Sequence, residues 1–274
     1  MRQLQTALGA AVLSIAFGGA VVAAECITSK ANFGSYKQTL GREAAAAGIG
    51  NRGMQALQAA RLSDITWRFE SRPSSQTGVS QGDPARFLAK RSGGTAQNFV
   101  ALTRQKIARN PNTFASIERR YGVPASILAT IWGLETSWGG YLGRTPIVSG
   151  AVTLSSYCRR HPKFEPHALA ALTMADRGLI SSDTRGGPSG ELGHMQFLAG
   201  NWLRYGVDAD GNGRADPYSA VDALATAANM LSQNGWIAGQ PFNDGTPNFR
   251  VLSVWNDSGN YRRAIAYAAG LVDG

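Results

Sequence analysis

The stretch from Ile127 to Gly140 reads ILATIWGLETSWGG and holds one carboxylate, Glu135, among apolar or neutral residues. Residues three, four and seven positions apart share one face of a helix, so Glu135 falls on the side of Leu128, Ile131 and Trp132. A carboxyl group on an apolar face loses hydration when it ionises, which raises its pKa. The helix is predicted to end within this stretch, and the negative end of its dipole also opposes ionisation.

A glutamate that is protonated near neutral pH can donate a proton to the leaving oxygen of a glycosidic bond. The pattern therefore predicts Glu135 as a general acid. A partly buried glutamate that pairs with an arginine or caps a neighbouring loop would fit the same spacing, because structural ion pairs also perturb pKa values. Spacing alone leaves both interpretations open.

The composition is that of a soluble globular protein with few charges. The 274 residues can form one large domain or two small ones, and 16% of them are charged. The formal net charge of +9 predicts attraction to anionic partners without specifying them.

The first 26 residues have the layout of a secretory signal. Arg2 is followed by no charge until Glu25, and small residues precede that glutamate, so cleavage is expected near Ala23 or Ala24. The predicted signal peptide is residues 1–24, and its removal takes away one arginine and no acid, leaving +8. An uncleaved membrane anchor is the alternative, which the Ala/Gly richness disfavours. A lipoprotein is disfavoured because Glu25, and not a small residue, precedes Cys26.

Two cysteines are present, Cys26 and Cys158. In an oxidising compartment an isolated pair predicts one disulfide, which would tie the mature N-terminus to the middle of the chain. Two unpaired buried thiols are the alternative.

Hydrophobic periodicity predicts a mostly helical single domain with a minor β element. Residues 62–94 are rich in turn formers and are predicted to be irregular. Pro124 is predicted to open the helix that carries Glu135. The other predicted helical segments are 33–61 with Gly48 as a stop, 95–109, 113–120, 165–179, 196–204, 219–233 and 249–270.

The stretch from Asp208 to Asp222, DADGNGRADPYSAVD, begins like a calcium loop. Asp208, Asp210 and Asn212 alternate, and the carbonyl of Arg214 would supply the next oxygen ligand. Ser219 occupies the twelfth position and cannot give a bidentate carboxylate, whereas Asp222 can. The sequence therefore predicts a stretched, EF-hand-like cation loop. A loop of Asx turns that caps the next helix is the other interpretation.

Two segments, GELGHMQFLAGNW at 190–202 and VWNDSGNY at 254–261, combine aromatic rings with amides and hydroxyls. Sugars present apolar faces and hydroxyl edges, so this combination suits a carbohydrate site. Aromatics at such spacings also form ordinary cores. The candidate sugar-binding residues are Gln196, Phe197, Trp202, Trp255, Asn256, Ser258 and Tyr261.

Together these segments resemble the membrane-bound lytic transglycosylase B type of murein-cleaving enzymes. YGVPASILATIWGLETSWG at 121–139 looks like that family's catalytic helix, and TLSSYCRR at 153–160 looks like the segment after it. GHMQFL at 193–198 is similar to the family's Gly-x-x-Gln-Phe motif, and WNDSGNY at 255–261 to its Tyr-Asn-x-Ser-x-x-Tyr segment. The Asp208–Asp222 loop is similar to the family's fifteen-residue cation loop.

The resemblance implies a lysozyme-like fold and a reaction that uses one carboxylic acid. Glu135 would protonate the glycosidic oxygen between MurNAc and GlcNAc and later deprotonate the MurNAc 6-hydroxyl, which closes on C1 to give a 1,6-anhydro product. It also implies Gln196, Phe197, Trp255, Asn256, Ser258 and Tyr261 as substrate contacts. The implied cofactors are none for the chemistry and a structural Ca²⁺ or Na⁺ in the loop.

The chain departs from the family pattern near its glutamine motif. A serine that the family places near the acid falls on Gly187, with Ser189 nearby, and an alanine becomes Glu191. Glu191 could activate water and make the enzyme a muramidase-type hydrolase. A solvent-exposed glutamate on a groove loop is the simpler expectation for Glu191.

The sequence therefore predicts a peptidoglycan lytic transglycosylase. The expected partners are glycan strands, and not nucleic acid, with association with envelope or cell-wall assemblies left open. We expect a monomer in the periplasm of a Gram-negative bacterium. Residues 25–274 would form the catalytic domain, with a helical part at 25–110 and a lysozyme-like core at 111–274. A murein-binding protein with a vestigial acid and a calcium-dependent interaction protein are the rival interpretations.

Overall fold

A computed structural model describes residues 24–71 and 82–274. The predicted signal peptide, residues 1–24, lies outside the described residues except for Ala24. Within the described ranges, no helix is both long and apolar enough to span a bilayer.

The described residues are mainly helical, as the sequence predicts. The helices are α1 Phe33–Ala46, α2 Asn51–Ala59, α3 Asp64–Ser71, α4 Pro84–Ser92, α5 Ala96–Arg109, α6 Pro111–Tyr121, α7 Ala125–Thr136, α8 Ile147–Ser156, α9 Glu165–Asp176, α10 Ala199–Tyr205, α11 Ala220–Gln233, α12 Pro247–Val251 and α13 Gly259–Asp273. Short 3₁₀ turns lie at Lys30–Asn32 and Leu252–Val254. One small antiparallel sheet pairs β1, Thr145–Pro146, with β2, Arg185–Gly186. Mostly helical with a small sheet, this is the lysozyme-like arrangement that the sequence predicts.

Helix α7 is the central element of the fold, and its burial corrects one expectation. It is buried on every side, not only along the face of Leu128 and Ile131. Helices α5 and α13 pack against it. Glu135, in its last turn, is half-buried in an otherwise buried helix. Ser137 ends the helix in the left-handed conformation with φ 52°, so the acid does lie at the negative end of the helix dipole.

The prediction that residues 62–94 are irregular is wrong for the described part of that range. Helices α3 and α4 lie there, separated by residues 72–81 outside the described ranges. The Asp83 side chain caps α4 by accepting from the Ala85 amide, Pro84 occupies the first turn, and Gly93 ends the helix with φ 67°. These are ordinary start and stop signals, which the surrounding turn formers obscured.

Two further helix predictions need correction. Helix α8 was not predicted, because all ten of its residues are buried and it has no amphipathic pattern. The predicted helix at 249–270 is broken into α12, a 3₁₀ turn and α13. The Ser258 hydroxyl caps α13 by accepting from the Tyr261 amide, and the break before this cap brings the 255–258 segment to α7.

One hydrophobic core joins all parts of the described chain. It includes Leu40 of α1, Leu88 of α4, Leu128 of α7 and Leu231 of α11, none of which is exposed. The division into parts at residues 25–110 and 111–274 stays a prediction, since both contribute to this one core.

Candidate active site

Glu135 accepts two hydrogen bonds on one oxygen. The Tyr261 hydroxyl donates to its Oε1 over 2.5 Å, and the Trp255 indole Nε1 donates to the same atom over 3.0 Å. Within residues 24–71 and 82–274, Oε2 accepts no hydrogen bond from the protein. The two carboxylate oxygens are therefore inequivalent: one is held by aromatic donors, and the other is available to a ligand.

The aromatic donors are themselves fixed by packing. The Trp255 ring meets Phe197 edge-on with ring centroids 5.2 Å apart, and Phe197 meets Trp202 at 5.5 Å. Tyr261 packs edge-on against Phe87 of α4 at 5.8 Å. Edge-to-face contacts of this kind stabilise ring orientation, so the hydrogen bonds to Glu135 come from rings with little freedom to turn.

Burial raises the pKa of Glu135 above its ordinary value. The hydrogen bonds from Tyr261 and Trp255, and the charge of Arg91, act in the opposite direction because they favour the carboxylate. Burial and the nearby Glu135 charge raise the pKa of Tyr261 well above its usual range, so this phenol stays protonated and donates. A protonated Glu135 near neutral pH is the state that the sequence predicts for an acid catalyst.

Glu135 opens into a cavity of about 340 Å³. Its wall combines aromatic, aliphatic, amide, carboxyl and guanidinium groups. The lining residues are Phe69, Glu70, Arg91, Leu134, Glu135, Leu154, Arg160, Phe164, Ser189, Glu191, Gln196, Phe197, Leu198, Asn201, Met230, Trp255 and Asn256. Apolar faces interleaved with polar groups suit a carbohydrate.

Four of the six predicted substrate contacts line this cavity: Gln196, Phe197, Trp255 and Asn256. Tyr261 is buried behind the acid and contacts Glu135 instead. Ser258 is exposed and caps α13, outside the residues that line the cavity, and its role as a substrate contact stays a prediction. Trp202 is buried behind Phe197 and belongs to the core.

The side chain of Gln196 is held by hydrogen bonds to two backbone carbonyls, and its backbone is in an unusual conformation. Its Nε2 donates to the Gly193 carbonyl over 2.8 Å and weakly to the Leu142 carbonyl over 3.4 Å. Its φ of 49° places it in the left-handed region, a conformation rare outside glycine and concentrated at functional sites.

Glu191 is not the solvent-exposed loop residue that was the simpler expectation. It is half-buried, lines the same cavity as Glu135, and accepts a hydrogen bond on Oε2 from the Ser189 amide over 2.7 Å. Burial raises the pKa of Glu191, and the charge of Glu135 raises it further. Two carboxyl groups therefore share one cavity, and the pKa of each is raised.

Gly187 makes room for Glu191. A Cβ atom at Gly187 would lie 2.3 Å from Oε2 of Glu191 and 2.5 Å from Oε1 of Gln196. The two departures noted in the sequence are therefore linked: the space left free by glycine at 187 is filled by the side chain of Glu191. The Glu191 carboxylate lies where a side chain at position 187 would begin.

Sequence reasoning missed the cationic part of the cavity. Arg91 comes from α4, in the segment predicted to be irregular, and Arg160 follows α8, which was not predicted. The Arg160 Nε donates to Oε2 of Glu70 over 2.7 Å, and Arg159 also pairs with that carboxylate. Glu70 is only 2% exposed. The stretch ITWRFES at 65–71 contains one acid, Glu70. This lone acid indicates a buried carboxylate only once α3 is known to be helical.

The structure brings three of the predicted cation ligands together. Carboxylate oxygens of Asp208, Asp210 and Asp222 lie within 4.8 Å of one another. Asp222 is fully buried in the first turn of α11. Its Oδ1 accepts from the amides of Ala209 and Asp210 over 2.8 and 3.1 Å, and its Oδ2 from the Asp216 amide over 2.9 Å.

The loop also contains the Asx turns of the alternative interpretation. Asp208 Oδ1 accepts from the Gly211 and Asn212 amides, and Asn212 Oδ1 accepts from the Arg214 amide. Ser219 caps α11 and donates to Asp210 Oδ2 over 3.0 Å. Such turns and a cation site are compatible, because each carboxylate keeps lone pairs for a hard cation. Converging carboxylates, one of them buried without an ion pair in the described residues, fit a bound cation.

Cys26 and Cys158 are joined by a disulfide, with Cα atoms 4.7 Å apart. Ile27 forms a parallel bridge with Tyr157, and its amide donates to the Ser156 carbonyl over 2.8 Å. The beginning of the described chain is thereby attached to the segment that carries Arg160 of the cavity.

Fold and site together define a helical, lysozyme-like protein with a half-buried acid in a carbohydrate-type cavity. The chain belongs to the transglycosylase SLT domain family, whose family model matches residues 32–244. This confirms the predicted transglycosylase family.

The relatives agree with this family. The chain is 36% identical over 121 residues to membrane-bound lytic murein transglycosylase B of Escherichia coli K12; the match covers 43% of the chain and 34% of that relative. The alignment thus spans about a third of the relative's length.

Solved structures share the fold. The chain is similar to SltB3 of Pseudomonas aeruginosa in complex with NAG-NAM-pentapeptide, with a TM-score of 0.74 and 22% identity over 88% of this chain and 80% of that one. It is also similar to the Escherichia coli lytic transglycosylase Slt35 in complex with calcium, with a TM-score of 0.72 and 22% identity over 86% and 92% of the two chains. At these identities the likeness establishes the fold, and it confirms the predicted fold class.

Proposed function

We propose that this chain is a peptidoglycan lytic transglycosylase that cleaves the β-1,4 bond between MurNAc and GlcNAc and leaves 1,6-anhydroMurNAc ends. The observation that carries the proposal is Glu135: a half-buried acid of raised pKa, fixed by two aromatic donors, in a cavity with sugar-type walls. Two structures of one protein with the same fold support the substrate and product. The SltB3 structures hold NAG-NAM-pentapeptide in one case and NAG-anhNAM-pentapeptide in the other.

The two oxygens of Glu135 have different roles in the proposed reaction. Oε1 accepts from Tyr261 and Trp255, so the proton of the neutral acid resides on Oε2. From there it passes to the glycosidic oxygen as the bond to C1 breaks. The substrate's own acetamido oxygen steadies the positive C1, and no protein nucleophile is required.

The carboxylate formed in this step is stabilised by the same two donors, because their hydrogen bonds favour the charged form. Glu135 then removes the proton from the MurNAc 6-hydroxyl, and that oxygen closes on C1. The acid is restored, and no water is consumed. Gln196, Phe197, Trp255 and Asn256 are the proposed sugar contacts in the cavity wall.

A hydrolase that uses Glu191 as its second carboxylate is the other candidate, since Glu191 shares the cavity with Glu135. A water-activating base must be ionised, whereas burial and the Glu135 charge raise the pKa of Glu191. A raised pKa opposes the ionised form that a water-activating base requires, and we therefore favour the lyase.

Digestion of purified murein tests the function. The mature protein should release muropeptides that a Glu135→Gln variant does not release, whereas Glu118→Gln, at an exposed position on α6, should be as active as the unmodified chain. Equal release by Glu135→Gln would contradict the assignment of the acid. Tight murein binding without release by either protein would favour the binding-protein interpretation.

We further propose a structural Ca²⁺ or Na⁺ held by Asp208, Asp210, Asn212, the Arg214 carbonyl and Asp222. It would neutralise the three carboxylates and fasten the loop to the start of α11, and it takes no part in the reaction. The calcium complex of Slt35, which has the same fold, supports this proposal.

The expected location is the periplasm, reached through a signal peptide within residues 1–24, with glycan strands as the substrate and the protein acting as a monomer. The Escherichia coli relative is named as membrane-bound. Fractionation of cells that express the full chain would test whether the protein is exported and whether it is attached to a membrane.

A further inference from the structure

Ala24, at the predicted boundary of the leader, is a buried residue. Ala24 is 1% exposed, whereas Glu25 next to it is exposed. The main-chain nitrogen of Ala24 donates to Oε1 of Glu43 on α1. Two residues later, the Cys26–Cys158 disulfide fixes the same segment to the fold.

The site that receives Ala24 contains two carboxyl groups. Glu165, in the first turn of α9, is a close neighbour of Glu43, and burial together with the Glu43 carboxyl raises the pKa of Glu165 to about 7. In the described residues, Oε2 of Glu43 and Oε2 of Glu165 are buried without a hydrogen bond to any group outside this carboxyl pair. The His161 ring contacts this pair on one side, with its Nδ1 3.5 Å from Glu165 Oε2.

An amide nitrogen cannot satisfy this site. It brings one N–H and no charge, whereas the two carboxyl groups offer several acceptor positions and repel each other when both ionise. In the described part of the chain, neither Glu43 nor Glu165 pairs with a lysine or arginine. The chemistry calls for a cation with several donors at the position of the Ala24 nitrogen, and an α-ammonium group carries three N–H donors and one positive charge.

We propose that the peptide bond between Ala23 and Ala24 is hydrolysed on export, and that the new α-ammonium group of Ala24 binds the Glu43–Glu165 carboxyl pair. A leader peptidase would add one water across the bond, leaving a carboxylate on Ala23 and the ammonium on Ala24. The inference goes beyond the reaction on glycan and does not depend on it.

The sequence alone permits cleavage after Ala23 and cleavage after Ala24 equally. Cleavage after Ala23 leaves Val21 at the third position before the cut, and cleavage after Ala24 leaves Val22 there, so both sites have small or β-branched residues at the positions a leader peptidase reads. The structure separates them. Removing Ala24 would discard the residue that contacts Glu43 and start the chain at an exposed glutamate, so the signal peptide ends at Ala23, one residue before the predicted boundary.

Intact-mass measurement of the exported protein tests the position of the cut. The mass should correspond to a chain that begins at Ala24 and contains the disulfide. A chain that begins at Glu25, or one that retains the leader, would overturn the inference.

A double-mutant cycle, read out as the Tm, tests the binding of the Ala24 ammonium group to Glu43 and Glu165. The mature chain is compared with one that carries a single glycine before Ala24, which moves the ammonium away and leaves an amide in its place. We expect this extension to lower the Tm by about 3–6 °C in the unmodified chain, since a partly buried ion pair is lost. The same loss should occur in Glu25→Gln, which removes an exposed carboxylate in the same segment.

In Glu43→Gln the extension should have little effect, because the receiving carboxylate is already absent. An equal loss of Tm in all three backgrounds would refute the ion pair. If Glu43→Gln does not fold, Glu165→Gln serves as the second background, and there the effect of the extension should be reduced.

Discussion

Adding a methyl group at Gly187 would test how Glu191 is accommodated in the cavity. The new Cβ would lie 2.3 Å from Oε2 of Glu191 and 2.5 Å from Oε1 of Gln196, whereas ordinary contact begins near 3.4 Å. The backbone at Gly187 is outside the left-handed region, so alanine itself is not strained there. Both neighbours are the far ends of side chains, and we expect Glu191 to move by about 1 Å to relieve the collision.

That movement breaks the 2.7 Å hydrogen bond from the Ser189 amide to Glu191. Loss of such a bond costs about 1–2 kcal/mol. We therefore expect Gly187→Ala to lower the free energy of unfolding by about 1–2 kcal/mol and the Tm by about 2–6 °C. In a chain that already carries Glu191→Ala the space is free, so Gly187→Ala should have little effect.

Urea unfolding of the four proteins in this cycle gives the coupling free energy directly. Gly34→Ala is the matched control, since Gly34 lies in α1 with open space around its Cβ position, and it should stabilise the chain by up to about 1 kcal/mol. If the losses of unfolding free energy from Gly187→Ala and Glu191→Ala simply add, with a coupling below about 0.3 kcal/mol, the two positions do not share one space.

Three other predictions concern the acid and the cation loop. Tyr261→Phe removes a hydrogen bond that favours the Glu135 carboxylate, so the pKa of Glu135 should rise, and the alkaline limb of the pH–activity profile should move to higher pH; an unchanged limb would contradict the assignment. Because Glu135 has a raised pKa in the folded state, its ionisation costs stability as the pH rises above its ordinary pKa. Glu135→Gln should therefore raise the Tm at pH 7 relative to the unmodified chain, and the difference should vanish in acid. A chelator should lower the Tm of the unmodified chain, by the equivalent of about 2.7 kcal/mol if the cation is present at a hundred times its Kd. The chelator should leave Asp222→Asn unaffected and should still act on Asp183→Asn, an exposed control.

The sequence predicted the central features of this molecule because they rest on local signals. The helix of Glu135 is marked by Pro124 before it and by Gly139 and Gly140 after it, and the acid stands out in an apolar stretch. The alternating oxygens of Asp208, Asp210 and Asn212 likewise follow from spacing, and the structure places the three aspartates of that loop together.

What could not be predicted depends on burial from more than one side. Helix α8 is enclosed on every face and lacks the periodicity that sequence analysis detects. Arg91 and Glu70 reach the cavity from segments far from Glu135 in the chain, so no local pattern connects them. The position of Glu191 depends on the absence of a side chain at Gly187, a relationship that only the folded backbone reveals.

The role of Tyr261 illustrates the difference between a motif and a contact. The resemblance implied a substrate contact, whereas in the structure its hydroxyl holds the acid. A hydrogen-bond donor in this position lowers the pKa of Glu135 against the effect of burial. The hydrogen bond from Tyr261 to Glu135 is observed, and a contact between Tyr261 and the substrate stays a prediction.

In the proposed mechanism, one acid breaks the glycosidic bond without water. Digestion of murein in ¹⁸O-enriched water, followed by mass spectrometry of the released muropeptides, tests it most directly. We expect anhydro-MurNAc ends, lighter by one water than reducing ends and free of ¹⁸O. Reducing MurNAc ends that carry one ¹⁸O atom would contradict it and would make Glu191 the base of a hydrolase.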